Sequence, residues 1–297
     1  MPTIEHLNPA PGALVRFVSD WHLGHERCEA PAPATILPRL LEGVDMLVMV
    51  GDTAETRICS WQEQAQCLRA ELREQCSIRN VQLVEISGNH DPDIEPLLIH
   101  FWDGKVVAMH GHALYKEVAP WSWEYLNNKE KCHALIATYP DCDTNLESRL
   151  ELSRAMCQLT PPILRREGIR NRYLRSLLHC FWPPQRPWNI LRCWFTCGRR
   201  ANRFANQFLP AAEVLILGHF HRSGHWRFGK RHIYNTGAWF KHASPYFVDM
   251  KDGRVLQYRP LRQPIYYDQS FLYRSRAQGE SNSPHTLIFY LADKYTR

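Results

Sequence analysis

The sequence predicts an α/β fold in which strands and helices alternate along the chain and pack in layers. Short runs rich in Val, Ile, Leu and Met suit buried strands. They occupy residues 14–18, 46–50, 81–86, 105–109 and 214–217. Residues 61–77 lie between two of these runs and place Ala65, Leu68 and Leu72 at helical spacing among polar side chains. This strand–helix–strand order is typical of a layered α/β sheet.

The other segments are assigned from turn signals and proline content. Residues 1–13 and 31–38 each contain three prolines, which predicts a loose lead-in and a surface connection. Asp-Gly pairs at 103–104 and 252–253 are strong hairpin signals. Further strands are expected at residues 97–101, 225–228, 231–235, 245–249 and 253–258, a mobile loop at 275–286, and an added strand or docking tail at 287–291.

Length and composition limit the class of protein. We expect the 297 residues to form a single domain, 1–297, interrupted by a helical insert at 113–213 that caps it. The chain has no apolar run of the roughly 18 residues needed to span a bilayer, and its N-terminus does not resemble a secretory signal. Ten cysteines without a Cys-x-x-Cys pair indicate a reduced, cytoplasmic protein.

The second half of the insert has a strong compositional bias. Residues 161–206 contain ten arginines and one acidic residue, Glu167, interleaved with Trp and Phe. Four interpretations remain open. The segment is a lid that binds a phosphorylated substrate, a contact with the inner face of a membrane, a nucleic-acid surface, or a solvated cap. Nucleic acid is the less favoured partner. Nearby prolines predict that Arg186 and Trp188 lie in a non-helical turn.

Polar residues able to bind metals or move protons follow five of the apolar runs. Buried polar groups are costly unless paired, and α/β sheets bind ligands at the carboxyl ends of their strands. The candidates, in chain order, are Asp20, His22, Asp52, Asn89, His90, Asp91, His110, His112, His219 and His221. Their repeated position after strands predicts one shared site.

These residue types suit two-metal hydrolysis of a phosphate ester. Such a site needs a bridging carboxylate together with imidazole and oxygen ligands for each ion. The expected ligands are Asp20, His22, Asp52, Asn89, His110, His219 and His221. His90 points away from the ion that Asn89 serves and becomes a general acid or an electrophile toward phosphoryl oxygen. We expect Asp91 to orient the His90 imidazole by a hydrogen bond. Asn89, His90 and His112 are the expected substrate contacts, although His112 could instead cap the turn at Gly111.

The ordered blocks Asp-x-His, Gly-Asp, Gly-Asn-His-Asp, His-Gly-His and Gly-His-x-His resemble the calcineurin-like metallophosphoesterase superfamily. The resemblance covers residues 14–112 and 214–258. It implies a four-layer α/β/β/α sandwich with a dinuclear site, in which His90 sits beside the substrate phosphate and Asp52 bridges the ions. It further implies that Asp20, His22 and His221 bind one ion, and that Asn89, His110 and His219 bind the other.

Two subgroups of that superfamily share features with the chain. Residues 234–239 (Tyr-Asn-Thr-Gly-Ala-Trp) and 244–246 (Ser-Pro-Tyr) resemble UDP-2,3-diacylglucosamine diphosphatases. Those enzymes typically have Arg at the position of His90. They also typically have the motif Gly-Asp-x-Phe-Glu, in which this chain has Ala54 in place of Phe before Glu55. Residues 19–24 and 88–91 are similar to SbcD-type nucleases.

The predicted function is metal-dependent hydrolysis of a phosphate ester or pyrophosphate by a metal-bridging hydroxide. Two divalent ions are the expected cofactors, with Mn²⁺ first and Fe, Zn, Ni or Mg as alternatives, because this ligand set does not select sharply. The expected substrate is a phosphorylated small molecule or a lipid- or nucleotide-linked pyrophosphate. A DNA nuclease and a non-catalytic, metal-stabilised scaffold are the alternatives.

Overall fold

The computed structural model describes residues 3–159, 185–240 and 243–261. The strands are β1 (Ile4–Leu7), β2 (Leu14–Val18), β3 (Met46–Val50), β4 (Gln82–Ile86), β5 (Leu98–Phe101), β6 (Val106–Met109), β7 (Val214–Leu217), β8 (Gly224–Phe228), β9 (Arg231–Asn235), β10 (Tyr246–Lys251) and β11 (Arg254–Pro260). The helices are α1 (Pro33–Leu40), α2 (Cys59–Ile78), α3 (Trp123–Asn127), α4 (Lys129–Ala137), α5 (Leu146–Leu159) and α6 (Gln185–Phe208), with a 3₁₀ turn at His112–Leu114.

The strands form two mixed sheets that pack face to face. One has the order β1-β5-β6-β7-β9-β8 and the other the order β11-β10-β2-β3-β4. Apolar side chains from both sheets, among them Phe17, Val48, Phe101 and Ile216, fill the space between them. Helix α6 packs on the outer face of the first sheet, and α2 packs beside β4 of the second. The predicted four-layer α/β/β/α sandwich is therefore confirmed.

The sheet topology brings the site-bearing strands to one end of the sandwich. Strands β2, β3 and β4 are parallel neighbours in one sheet, while β6 and β7 are parallel neighbours in the other. The residues that follow these five strands therefore leave the sheets at carboxyl ends, as the sequence predicts. The expected hairpins at 103–104 and 252–253 are also present as the antiparallel pairs β5–β6 and β10–β11.

Two proline-containing segments were assigned wrongly from the sequence. Residues 1–13 are not only a lead-in, because β1 adds to the edge of the six-stranded sheet in parallel with β5. Residues 31–38 lie largely in α1, which starts at Pro33 and buries Ile36, Leu37 and Leu40. A proline in the first turn costs no helical hydrogen bond, and burial of the apolar face outweighs the second proline, Pro38.

The described part of the insert at 113–213 is mainly helical. Helix α6, described from Gln185 onward, includes Arg186 and Trp188, so the predicted non-helical turn there is wrong. Contacts with a neighbouring loop hold this part of the helix, since Arg186 Nε donates to the Trp121 carbonyl and the Asn189 side-chain amide donates to the Pro120 carbonyl. The cap role of 113–213 and the single domain over 1–297 stay predictions. The first half of the arginine-rich stretch, the loop at 275–286 and the segment at 287–291 lie outside the described residues.

Two expectations from composition concern membranes and cysteines. Among the helices of the described ranges, none combines the length and the apolar character needed to cross a lipid bilayer. The nine cysteines in those ranges are free thiols, with no disulfide between them.

Candidate metal centre

The first group of ligand candidates joins residues from three strand ends. The donor atoms of Asp20, His22, Asp52 and His221 all lie within 4.8 Å of one another. His22 Nε2 is 3.2 Å from His221 Nε2 and 3.6 Å from Asp52 Oδ2. His221 Nε2 is 3.3 Å from Asp20 Oδ1. Two carboxylates and two imidazoles converge here with their donor atoms facing one point.

The second group forms on the other side of Asp52. His110 Nε2 lies 3.1 Å from Asp52 Oδ2 and 3.2 Å from Asn89 Oδ1. His110 Nδ1 donates to the Val50 carbonyl at 2.9 Å. That bond fixes the ring and leaves Nε2 as the electron-pair donor, an arrangement common among metal-binding histidines.

His219 lies beside this second group. Its ring centroid is 5.2 Å from that of His110, and its Nε2 donates to the Val118 carbonyl at 3.1 Å. Nδ1 is then the ring nitrogen with a lone pair. The backbone N–H of His219 also donates to both oxygens of Asp20, each at 3.0 Å. This links the loop after β7 to the loop after β2.

The backbone of the ligand loops is unusual. Left-handed φ angles between 50° and 71° occur at Asp20, His22, Asp52, His219 and His221. Such angles cost of order 1–3 kcal/mol at a non-glycine residue and concentrate at functional sites. Glycines allow the loops to approach closely, since a Cβ on Gly218 would lie 2.3 Å from Asp20 Oδ2 and one on Gly88 would lie 2.1 Å from Asp52 Oδ1.

The buried Asp52 carboxylate tests whether metal ions fit. Its Oδ1 accepts a hydrogen bond from the His90 backbone N–H at 2.8 Å. Its Oδ2 is buried and forms no aligned hydrogen bond, although ring nitrogens of both ligand groups lie near it. A buried acceptor without a donor is expensive. A cation on either side of Oδ2 would satisfy it, so the residues fit two divalent ions that share Asp52.

The charges at the site affect one another strongly. Burial alone would lower the pKa of His110, but the carboxylates of Asp52 and Asp20 outweigh it and raise the pKa to about 9. Burial would raise the pKa of Asp52, yet His110, His90 and His22 hold it well below its usual range. Burial lowers the pKa of His22 and of His219. The arrangement therefore presents an ionised carboxylate among neutral and protonated imidazoles.

His90 is paired with Glu55, a residue that the sequence analysis did not include in the site. His90 Nδ1 lies 2.7 Å from Oε2 of the fully buried Glu55. The His90 side chain is 34% exposed, so its Nε2 is the ring nitrogen available to a substrate. Burial would lower the pKa of His90, but Glu55 and Asp52 outweigh this and raise it to about 10. The protonated imidazole is the form that can donate to a leaving group.

The expected role of Asp91 is corrected by its hydrogen bonds. Its carboxylate accepts backbone N–H groups from Asp52 at 3.0 Å, Thr53 at 2.7 Å, Ala54 at 3.2 Å and Gly88 at 2.9 Å. Asp91 thus joins the loops after β3 and β4 and does not orient the His90 imidazole. Glu55 has that contact. The sequence offered one signal for Glu55, namely an acidic residue three positions after Asp52.

His112 is buried, with 2% of its surface exposed. Neither ring nitrogen has a hydrogen-bond partner, and its centroid lies 5.5 Å from that of His110. Burial and the neighbouring His110 hold its pKa well below the usual range. The structure places His112 next to the second ligand group, and its expected contact with substrate phosphate stays a prediction.

Residues 235–237 support the ligand loops. The Asn235 side-chain amide donates to the Gly218 carbonyl at 2.5 Å and its oxygen accepts from Gly237 N at 3.0 Å. The Thr236 hydroxyl lies 2.6 Å from that of Ser19, which in turn donates to Asp20. Nearby, Trp21 and Trp239 stack at 5.0 Å and are buried, which makes them core residues. This part of the Tyr-Asn-Thr-Gly-Ala-Trp segment therefore has a structural role.

Comparisons with known proteins agree with the geometry of the site. The family model for calcineurin-like phosphoesterases matches residues 14–223, which includes all the ligand candidates. A comparison with curated protein sequences gives no significant match.

Several solved structures show a distant likeness. They include a dimetal phosphatase from Danio rerio (11% identity, TM-score 0.43, covering 81% of this chain and 93% of that one). Wild-type Vps29 with zinc from Entamoeba histolytica is 13% identical (TM-score 0.36, covering 84% and 99%). A cold-active protein-tyrosine phosphatase from a psychrophilic Shewanella is also 13% identical (TM-score 0.38, covering 88% and 83%).

Proposed function

Because the chain belongs to the calcineurin-like phosphoesterase family, we propose that it hydrolyses a phosphate ester or pyrophosphate with two divalent ions. The observation that carries the proposal is the buried Oδ2 of Asp52. It lies 3.6 Å from His22 Nε2 and 3.1 Å from His110 Nε2, and it forms no aligned hydrogen bond. One carboxylate oxygen thus faces two sets of ligands, as a bridging ligand must.

The remaining ligand candidates divide between the two sides of Asp52. Asp20, His22 and His221 would hold one ion, and Asn89, His110 and His219 would hold the other. When bound, such a pair of ions supplies a hydroxide at neutral pH and neutralises charge on the phosphoryl oxygens. Mn²⁺ is our first choice, with Fe, Zn, Ni and Mg as alternatives, because His, Asp and Asn ligands do not select sharply among these ions.

In this proposal His90 protonates the leaving group. The carboxylate of Glu55 holds Nδ1 and favours the imidazolium, so that Nε2–H can donate to the oxygen that leaves phosphorus. General acid catalysis of this kind contributes about 10²–10⁴-fold. Glu55 acts through His90 and is a positioning residue.

The proposed substrate is a phosphorylated small molecule or a lipid- or nucleotide-linked pyrophosphate. The resemblance of residues 234–239 to UDP-2,3-diacylglucosamine diphosphatases supports the narrower choice. This support comes from the sequence, and in the structure Asn235 and Thr236 hold the candidate ligand loops in place. Both a phosphomonoester and a phosphodiester should therefore be assayed, together with a UDP-linked pyrophosphate.

The test is hydrolysis by metal-stripped protein after addition of Mn²⁺, Mg²⁺ or Zn²⁺. We expect activity to return with metal, to be lost in Asp52→Asn together with metal binding, and to fall about 10²–10⁴-fold in His90→Ala with metal binding retained. His133→Ala, at an exposed site on α4, is the matched control.

Absence of turnover of all three compounds, with two ions bound per chain, would contradict the proposal and favour a non-catalytic scaffold. Metal-dependent cleavage confined to single-stranded DNA would favour the nuclease.

A further inference from the structure

The outer face of α6 carries an exposed apolar strip. In the described ranges, five large apolar side chains are markedly exposed, and three of them are on this helix: Trp188 at 68%, Leu191 at 44% and Phe195 at 71%. Their spacing of three and four residues places them on one side of the helix. The opposite side of α6, including Cys197 and Ala201, packs on the six-stranded sheet. The strip therefore points away from the protein core.

Positive charge surrounds this strip. Helix α6 contains five arginines and no acidic residue. Arg192, Arg199 and Arg203 are exposed, and helical spacing puts them on the same side as Trp188 and Phe195. A helix with aromatic and aliphatic side chains among arginines has the composition of an interfacial helix, which lies in the headgroup region of a bilayer.

One end of the strip lies next to the metal centre. Arg222 directly follows the ligand candidate His221, and its guanidinium carbon lies 5.9 Å from the ring centre of Trp194 and 6.0 Å from that of Phe195. Trp194 Nε1 donates to the Phe220 carbonyl at 3.2 Å. The loop with His219 and His221 is thus in contact with the helix that carries the strip.

We propose that the outer face of α6 docks on the surface of an anionic lipid bilayer. Trp188, Leu191 and Phe195 enter the boundary between headgroups and acyl chains, and the exposed arginines contact lipid phosphates. Docking in this way brings the loop after β7 to the level of the headgroups. The evidence for this docking surface is the exposure of the three apolar side chains and the positive charge of the helix. It does not depend on the reaction proposed above.

Other occupants of this face fit the charge less well. A second copy of the chain would place the same arginines against each other. Two segments outside the described residues are also basic: 160–184 has five arginines and one acidic residue, and 262–297 has five basic and three acidic residues. Neither supplies a complementary charge. A nucleic acid would pair with the arginines and stack on the aromatic rings, but the exposed Leu191 has no counterpart in such binding. An anionic bilayer accommodates the arginines, the aromatic rings and the exposed Leu191.

The test is flotation of the full chain with phosphatidylcholine vesicles that contain or lack phosphatidylglycerol. We expect binding to the phosphatidylglycerol vesicles and its reduction by added salt. The combined Trp188→Ser, Leu191→Ser and Phe195→Ser variant should lose at least about tenfold in affinity. The matched control is Ile78→Ser with Leu256→Ser, which removes the two large apolar side chains that are 63% and 57% exposed elsewhere. We expect that control to bind as the parent does.

A third variant, Arg192→Gln with Arg199→Gln, should weaken binding to phosphatidylglycerol vesicles. Circular dichroism melting of every variant confirms that the fold is intact. Equal binding by the parent and the triple serine variant would overturn the proposal, as would failure of the parent to bind phosphatidylglycerol vesicles. Binding of single-stranded DNA that needs the arginines, without vesicle binding, would assign the face to nucleic acid.

Discussion

The candidate metal centre and the outer face of α6 depart from ordinary burial in opposite directions. At the candidate metal centre, charged side chains such as Asp20 and Asp52 are buried and fixed by backbone contacts. On α6, large apolar side chains such as Trp188 and Phe195 face solvent. Buried polar groups and exposed apolar groups are each the informative exception to the usual pattern. Substitutions at the candidate metal centre should therefore alter the fold or the chemistry, and substitutions on the outer face of α6 should alter only association.

The largest effect on stability is expected at Asp91. Asp91→Ala would leave four buried backbone N–H groups without their acceptor. Each unsatisfied group costs about 1–3 kcal/mol, so the free energy of unfolding should fall by at least about 4 kcal/mol. Chemical denaturation measures the change. Asp93→Ala, at an exposed loop position, serves as control and should change stability by less than about 0.5 kcal/mol. A loss of activity without loss of stability would show that Asp91 is catalytic after all.

The next effect is expected at Glu55. Glu55→Gln removes the carboxylate that raises the pKa of His90, so kcat should fall, but by less than the about 10²–10⁴-fold that loss of the general acid itself would cost. Since the pKa of His90 falls, the general acid loses its proton at lower pH. The basic limb of the kcat profile should therefore shift toward acid.

The control for Glu55→Gln is Glu63→Gln, on the exposed side of α2. A reduced kcat with an unmoved pH profile would restrict Glu55 to a structural role.

A smaller effect, on metal affinity, is expected from pH. The pKa of His110 in the metal-free protein is raised to about 9, so the ring carries a proton near neutral pH that metal binding must displace. Affinity for Mn²⁺ should rise as pH increases from about 6 toward 9, by about tenfold per pH unit for one displaced proton. Calorimetry in two buffers of different ionisation enthalpy counts the protons. Binding without proton release would contradict the charge state assigned to His110.

The smallest effect on fold and chemistry is expected on α6. The triple serine variant at Trp188, Leu191 and Phe195 removes side chains that are already exposed. Its melting temperature and its hydrolysis of a soluble phosphomonoester should match those of the parent, because surface substitutions usually change stability by less than about 0.5 kcal/mol. A clear loss of stability would show that the strip is covered within the protein, and the contrast between the two regions would then fail.

The strand ends could be predicted from the sequence because both signals are local. An apolar run and the polar residues directly after it, as in Val214–Leu217 followed by His219 and His221, indicate a strand and the candidate ligands at its end together. The order of the five motif blocks along the chain also indicated the family. The convergence of these residues then follows from parallel strand pairing, which places carboxyl ends side by side.

The features that were missed depend on contacts between distant parts of the chain. Strand β1 exists because Ile4–Leu7 pairs with β5, about ninety residues away. Helix α1 forms because its apolar face finds a buried position despite Pro38. The roles of Glu55 and Asp91 are decided by which donors lie nearest in three dimensions, and sequence order suggested the wrong partner for His90.

Electron paramagnetic resonance of Mn²⁺-loaded protein tests whether Asp52 joins two metal ions. Metal-stripped protein would be titrated with Mn²⁺ and compared with Asp52→Asn and His221→Ala. We predict two ions per chain with the spectrum of a magnetically coupled pair, loss of that spectrum in Asp52→Asn, and one uncoupled ion in His221→Ala. A single ion per chain in the parent, or two ions without coupling, would contradict a site bridged by Asp52.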